Sequence, residues 1–206
     1  MNVKKLMQAE SLFLKKIPGG FSNPEMVKIG KKHKMEKMIE TANEFFSKKN
    51  CKNIQVTSEN MVKVISRSSM VSMFEKPKFR DFVKSLKNDD KEFLVKGLSN
   101  LLHGKKQLGF EAIVDILKTE KLAKWSLVTV IPAYYFPDDE VFVKPTTAKD
   151  VIKYFEVEDM IYKPAPTWDF YQKYRDLIHT MKSKVDSSLA PSNAAFSGFL
   201  MMSMKM

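Results

Sequence analysis

Two helical patterns follow one another in residues 88–118, which read NDDKEFLVKGLSNLLHGKKQLGFEAIVDILK. Asn88 or Asp89 can cap the first helix, and Gly104 is placed to end it. Its inward apolar positions are Phe93, Leu94, Leu98, Leu101 and Leu102. In the second helix, apolar side chains recur at i, i+3, i+4 and i+7, namely Phe110, Ile113, Val114 and Leu117. The short polar turn between the two stripes predicts antiparallel helices that pack together.

Similar patterns extend outward from this pair in both directions. Further helices are predicted over residues 3–17, from Pro24 towards Asn50, from Pro77, over residues 122–131, from Thr147, from Thr167 and over residues 194–204. The helix near Trp125 is apolar on nearly all sides and should be central. The helix near Phe199 is about half the length of a membrane span, so we expect it to dock into the core.

Three segments are harder to interpret. Residues 51–73 fit either strand or helix, and we favour a helix after Thr57. The helix that begins at Pro24 has no large apolar residue over residues 30–34, so it crosses solvent there or breaks at Gly30. Residues 141–143 are a short candidate strand. The expected fold is therefore mainly α, an irregular multi-helix domain with at most a short β element near 141–143.

The positive charge lies in the N-terminal part of the chain. The formal net charge is +11, from 35 Lys and Arg against 24 Asp and Glu. Residues 1–110 hold 23 basic and 11 acidic side chains, and residues 111–206 hold 12 and 13. We therefore divide the chain into a basic helical region, 1–110, and a near-neutral helical region with aromatic-rich loops, 111–206. One continuous fold is favoured over two domains.

Composition and cysteine content narrow the class of protein. Hydrophobic residues make up 44% of the chain, which is enough for a core, and no apolar run approaches the roughly 18 residues of a membrane span. Cys51 is the only cysteine and cannot form an internal disulfide, which fits a reducing compartment. The sequence therefore predicts a cytoplasmic protein without a transmembrane segment.

No motif for a cofactor or a metal ion stands out. His33, His103 and His179 have no metal-ligand spacing, and Cys51 has no CxxC partner. Gly104 and the two lysines after it lack the remaining residues of a phosphate-binding loop. We therefore predict neither a cofactor nor a metal site, and we lean towards a protein that is not an enzyme.

One acidic segment does allow an enzymatic alternative. Asp138, Asp139 and Glu140 precede Lys144, and clustered carboxylates near a lysine are found in magnesium-dependent nucleases. In a strand, Glu140 and Lys144 would lie on the same face. The spacing does not match the usual pattern of such nucleases, and an exposed acidic turn explains the same residues.

A group of lysines is the main candidate for a binding surface. Its members are Lys28, Lys31, Lys32, Lys34 and Lys37 on the helix that begins at Pro24, and Lys48, Lys49 and Lys52 beyond its end. On one continuous helix only Lys28, Lys31 and Lys32 would share a third of the circumference. Lysine neutralises phosphate without reading bases, and the chain has only three arginines.

Three functions are compatible with these observations. We favour non-enzymatic binding of nucleic acid, an acidic protein or another polyanion through the lysines, without sequence specificity. A protein-interaction scaffold with no nucleic-acid role is the first alternative, in which the lysines only solvate helix faces. The second alternative is a metal-dependent nuclease that uses the Asp138–Lys144 segment.

The C-terminal half also carries a recognisable layout. Its marks are Trp125-Ser126-Leu127-Val128-Thr129, Pro132, Val141-Phe142-Val143-Lys144-Pro145-Thr146-Thr147, Tyr162-Lys163-Pro164, Trp168-Asp169-Phe170-Tyr171 and Phe196-Ser197-Gly198-Phe199. This layout resembles the C-terminal part of uncharacterised bacterial proteins. The resemblance covers less than half of the chain and implies a bacterial origin. It implies no activity and no site residues.

Overall fold

The protein folds into eleven α-helices. A computed structural model describes residues 1–206, is 70% helical and contains no strand. The helices are α1 Val3–Lys16, α2 Pro24–His33, α3 Met35–Phe45, α4 Ile54–Arg67, α5 Glu75–Ser85, α6 Asn88–His103, α7 Lys106–Lys118, α8 Trp125–Tyr135, α9 Pro145–Tyr154, α10 Trp168–Lys182 and α11 Asn193–Ser203. The prediction of a mainly α, multi-helix domain is confirmed.

Helices α6 and α7 form the predicted antiparallel pair, and glycine lets them pack closely. A Cβ atom added at Gly109 would lie 2.6 Å from the carbonyl oxygen of Gly97 and would also overlap the backbone nitrogen of Leu101. A Cβ atom added at Gly97 would lie 3.2 Å from the Cγ1 atom of Ile113 in α7. Backbone therefore packs against backbone at this crossing, which no larger residue at position 109 permits.

Helix α8 is the central element. Every residue from Trp125 to Tyr134 is buried, as predicted from its apolar character. The helix continues through Pro132 to Tyr135, although the sequence suggests a change of structure after the proline. Two polar groups of α8 are satisfied inside the core. The Trp125 indole N–H donates to the carbonyl of Lys163, and Thr129 bonds back to the Trp125 carbonyl.

The short candidate strand does not form. Residues 141–143 have no regular secondary structure, and the backbone N–H groups of the two valines bond to side chains instead of to a neighbouring strand. The Val143 N–H donates to Thr129 Oγ1 over 3.0 Å, and the Val141 N–H donates to the Tyr171 hydroxyl over 3.3 Å. Because both donors already have partners and both valines are fully buried, this segment needs no sheet.

Several helix boundaries differ from those predicted. Helix α4 begins at Ile54, because the Asn53 side chain accepts a hydrogen bond from the Val56 N–H, and Thr57 is not its cap. Helices α5 and α9 each begin two residues before the predicted position, at Glu75 and Pro145. The other helices lie within a few residues of their predicted ranges.

Both sequence regions contribute to one core. A single cluster of 46 buried apolar residues extends from Leu6 to Leu200. Phe13 of α1 packs edge-on against Phe199 of α11, with ring centroids 5.2 Å apart. The docking predicted for the last helix is found, since Phe196, Phe199 and Leu200 are fully buried. None of the eleven helices combines the length and the apolar character needed to cross a membrane.

Candidate functional site

The eight candidate lysines are all exposed, and none of them forms an ion pair. Between Pro24 and Lys52 the chain holds these eight lysines and only four glutamates. Five of the other lysines form ion pairs, such as Lys5 with Glu156 and Lys173 with Asp169. The surface around α2 and α3 therefore carries uncompensated positive charge.

The helix predicted from Pro24 is in fact two helices, and this rearranges the lysines. Helix α2 ends where Lys34 adopts a left-handed conformation with φ 52°, and its N–H donates to the carbonyls of Gly30 and Lys31. Of the two alternatives, a helix that crosses solvent or a break at Gly30, the structure shows a break, which falls four residues after Gly30. Lys34 and Lys37 lie at the start of α3, whereas Lys48, Lys49 and Lys52 lie beyond its end. The 11 residues of α3 span about 16 Å, so the lysines form two separate clusters.

Helix α2 is held only lightly by the rest of the protein. Asn23 caps it by accepting from the Glu25 N–H, and Pro24 occupies its first turn. Met26 is its only buried residue. Val27 and Ile29 are 41% and 44% exposed, so apolar side chains sit at the surface among the lysines. A basic helix with exposed apolar residues is typical of a binding surface.

A pocket of about 690 Å³ lies between α2, the start of α3, residues 142–147 and α11, and we call it the α2–α11 pocket. Its apolar lining includes five of the fourteen methionines, which are Met26, Met35, Met70, Met201 and Met202. Phe21 and Phe142 add aromatic surface. The volume lies within the range of roughly 300–1,000 Å³ that is typical of small-molecule sites.

Helix α11 supplies an apolar wall that contains no charged residue. One side packs Phe196 and Phe199 into the core, and the other side turns Ala194, Ala195 and Gly198 towards the pocket. These small residues leave room, since a Cβ at Gly198 would be 3.6 Å from the nearest atom of Phe21. The side of α11 that faces the pocket is therefore half-buried and, apart from Ser197, lacks polar side chains.

Basic groups surround the mouth of this pocket. Lys31, Lys34 and Lys37 line it from α2 and the start of α3, and Lys144 lines it from the residue before α9, with its Nζ 3.9 Å from the sulfur of Met201. Lys28 and Lys32 belong to the same helix but do not line it. Glu36 is the one carboxylate in the lining. The pocket thus combines an apolar interior with an excess of positive charge.

Two further side chains connect α2 to a neighbouring segment at the pocket. His33, at the end of α2, bonds through Nδ1 to the Ser69 hydroxyl over 3.0 Å, and both residues line the pocket. This bond joins α2 to the loop after α4. The sequence indicated three of the lining lysines but missed Lys144 and the α11 wall. The uncharged stretch Asn193–Ser203 is the signal that could have identified the wall.

The acidic segment forms a second cluster, centred on Glu140. This carboxylate is 1% exposed and accepts hydrogen bonds from Lys106 Nζ at 2.6 Å, the Tyr171 hydroxyl at 2.6 Å and an Arg175 guanidinium N–H at 3.1 Å. Lys144 is exposed at the α2–α11 pocket and is not among these donors. Because residues 141–143 form no strand, the alternation that would place Glu140 beside Lys144 is absent. The side chains of Lys106 and Arg175 therefore neutralise the buried carboxylate of Glu140.

Asp139 belongs to the same cluster but faces solvent. Its side chain is 52% exposed and accepts a hydrogen bond from Lys106 Nζ at 2.8 Å. Partial burial raises the pKa of Asp139, but the hydrogen bond and charge of Lys106 outweigh this effect and hold that pKa below its usual value. Burial also lowers the pKa of Lys106, and its bonds to Asp139 and Glu140 more than reverse this shift. Each group thus favours the charged form of the other.

The remaining reactive residue types have structural partners. His103 Nε2 bonds to the Phe46 carbonyl at 2.7 Å, and His179 Nε2 bonds to the Asp139 carbonyl at 2.8 Å. Burial raises the pKa of Cys51 to about 11, which keeps it a thiol at neutral pH. No three His, Cys, Asp or Glu side chains come together as a candidate metal site.

Comparisons with protein-family models, with curated proteins and with solved structures found no match to this chain.

Proposed function

We propose that this protein is a non-enzymatic binding protein that engages nucleic acid or another polyanion through the Lys28–Lys52 surface. The observation that carries the proposal is that all eight lysines of this surface are exposed and free of ion pairs. Exposed lysines without carboxylate partners attract phosphate groups and release their counterions on binding.

The division of the lysines into two clusters favours an extended anion over a small one. One cluster surrounds α2 and the start of α3, and the other lies about 16 Å away beyond the end of α3. That distance corresponds to roughly five base-pair steps of duplex DNA, at about 3.4 Å each. A polymer that follows α3 can contact both clusters, whereas a single phosphate can contact only one.

The arginines support binding without sequence specificity. Bidentate contacts from arginine to guanine are the commonest specific readout of DNA. Arg175 already pairs with the buried Glu140, and Arg80 pairs with Asp81. Only Arg67 is left without such a partner, so phosphate contacts from lysine supply nearly all of the expected affinity.

The proposal is tested by fluorescence anisotropy with labelled DNA and RNA, single-stranded and duplex, over a range of salt concentrations. We expect an affinity that falls steeply with salt. The triple variant Lys28→Gln, Lys31→Gln, Lys32→Gln should weaken binding and reduce the slope of log K against log salt by up to about 3. The matched control is Lys121→Gln, Lys163→Gln, Lys184→Gln, which removes the same charge from exposed sites elsewhere.

Two results would contradict the proposal. One is the absence of binding at low salt, which would favour the scaffold alternative, for which Val27 and Ile29 provide exposed apolar contacts. The other is an equal loss of affinity in the control variant, which would make the effect one of net charge alone.

The nuclease alternative has a separate test. It requires magnesium-dependent cleavage of nucleic acid that Asp139→Ala abolishes. The engagement of Glu140 with Lys106, Tyr171 and Arg175 favours a structural role for that carboxylate. We therefore expect purified protein to leave nucleic acid intact in the presence of Mg²⁺.

A further inference from the structure

We propose that the α2–α11 pocket binds a single alkyl chain that carries an anionic head group. The pocket adjoins the Lys28–Lys52 surface and shares Lys31, Lys34 and Lys37 with it. Its ligand would place the alkyl chain against α11 and its head group among the lysines at the mouth. The proposed ligand binding at this pocket does not require that nucleic acid binds to the Lys28–Lys52 surface.

The lining is suited to an alkyl chain. Five methionines contribute flexible, polarizable side chains, which adapt to a chain that has many conformers. The small residues Ala194, Ala195 and Gly198 leave the α11 wall open along the pocket. Exposed apolar surface of this extent is unfavourable in water, and an alkyl chain would cover it.

The charges at the mouth specify the head group. Lys31, Lys34, Lys37 and Lys144 line the pocket against the single carboxylate of Glu36. None of these four lysines forms an ion pair, so they are available to an anion. Lys31 belongs to α2 and Lys144 directly precedes α9, so a head group at the pocket can be contacted by lysines from two different elements. A neutral amphiphile would gain the apolar contacts but not these interactions.

The opening of the pocket depends on α2, the helix with the fewest buried residues. Gly19 and Gly20 before it have φ of 79° and 57°, and Lys34 after it has φ 52°. Helix α2 is therefore a lightly packed wall with a left-handed residue directly after it and two left-handed glycines in the turn that precedes it by a few residues. A chain-like ligand can enter by displacement of this wall without disturbing the central helix α8.

The first experiment measures binding of dodecanoate, decanoate and dodecanol by isothermal titration calorimetry, below the critical micelle concentrations of the two carboxylates and the solubility limit of dodecanol. We expect dodecanoate to bind more tightly than decanoate, by up to about fourfold for each added methylene. Dodecanol should bind about tenfold more weakly than dodecanoate, because it lacks the charge. Dodecyl phosphate distinguishes a carboxylate head group from a phosphate one. Equal affinity for dodecanol and dodecanoate, or no binding of any probe, would overturn the proposal.

A pair of double variants tests the role of the mouth. Lys31→Gln with Lys144→Gln removes one lysine from each of these two elements, and we expect an approximately tenfold loss of dodecanoate affinity. Lys28→Gln with Lys32→Gln removes the same charge from α2 at positions outside the pocket, and should change the affinity less than twofold. Equal losses in the two variants would mean that dodecanoate responds to general charge and not to this site.

Methionine methyl signals in an NMR titration locate the bound chain. We expect the signals of Met26, Met35, Met70, Met201 and Met202, assigned by Met→Leu variants, to shift on addition of dodecanoate. Shifts confined to other methionines would contradict the proposed site. Nucleic-acid binding is expected to weaken in both double variants, because Lys28, Lys31 and Lys32 all contribute to it. The two proposals can therefore fail independently.

Discussion

Single glycines determine how closely the α6–α7 pair can pack. Gly109 has backbone atoms of α6 where its Cβ would be, and these cannot move aside as a flexible side chain can. Gly30 of α2 has no atom within 4 Å of the same position. The same substitution should therefore have opposite effects at the two sites.

We expect Gly109→Ala to lower the free energy of unfolding by about 3 kcal/mol, because α6 and α7 must separate to accommodate the new methyl group. Gly30→Ala is the control and should raise the stability by about 0.5–1 kcal/mol, since alanine favours the helix and meets open space. Urea denaturation followed by circular dichroism measures both changes. A loss below about 1 kcal/mol at Gly109 would mean that the two helices are not in backbone contact.

Glu140 and Asp139 are neighbours that share Lys106 but differ in burial. Glu140 is enclosed by three donors, whereas half of the Asp139 side chain is in solvent. Removal of a buried charge leaves its partners unpaired in a poorly solvated site, which costs far more than removal of an exposed charge.

Glu140→Gln should therefore destabilise the protein by about 3 kcal/mol, because Arg175 and Lys106 would face a neutral amide. Asp139→Asn should cost less than about 1 kcal/mol. The midpoints of chemical denaturation at pH 7 compare the two variants. Equal costs would show that the interior around Glu140 is well solvated.

At the scale of the elements, the helices are unequal in how firmly they are held. Helix α8 has ten buried residues and α6 has six, but α2 has only Met26. Segments with few buried apolar contacts open at low free energy while the core stays folded. Helix α2 is the wall of the proposed pocket, so this property bears on ligand entry.

We predict that the amide hydrogens of α2 exchange with solvent much faster than those of α6, α7 and α8. Hydrogen exchange under native conditions, read by mass spectrometry over the peptides of residues 24–33 and 88–135, measures the difference. Addition of dodecanoate should slow exchange in α2 and leave α8 unchanged. Protection of α2 equal to that of α8 without ligand would contradict a lightly held wall.

At the scale of the whole molecule, the first helix and the residue before it contact elements from the C-terminal part of the chain. The Asn2 N–H donates to the Phe155 carbonyl over 2.6 Å, and Lys5 pairs with Glu156. Phe13 and Phe199 meet in the core that both sequence regions share. Residues 1–110 alone would expose the apolar surfaces that pack against α8 and α11.

We therefore expect a single cooperative unfolding transition for residues 1–206. Circular dichroism reports on all helices, whereas tryptophan fluorescence reports on Trp125 and Trp168 of the near-neutral region. The two probes should give the same midpoint, and a fragment of residues 1–110 should not fold. Two separate transitions would instead indicate two domains.

The helical character of the chain was predictable from the sequence alone. Apolar spacing, the Asn23 cap and the terminating Gly104 act within a few residues, so local patterns are enough to identify most helices. The exposure of the eight lysines was also predictable from the sequence, because charged side chains are expected to remain in contact with water.

Tertiary structure decided the rest. Residues 141–143 form no strand because their donors bond to Thr129 and Tyr171, which lie 14 and 30 positions away. The sequence spacing suggested that Lys144 lies beside Glu140. In the structure Glu140 instead accepts hydrogen bonds from Lys106 and Arg175, and Lys144 lines the α2–α11 pocket. That pocket joins α2 to α11, which are separated by about 160 residues of chain. Local periodicity specifies which side of each helix is apolar, but only the packing of distant helices determines which apolar sides are covered and which remain open.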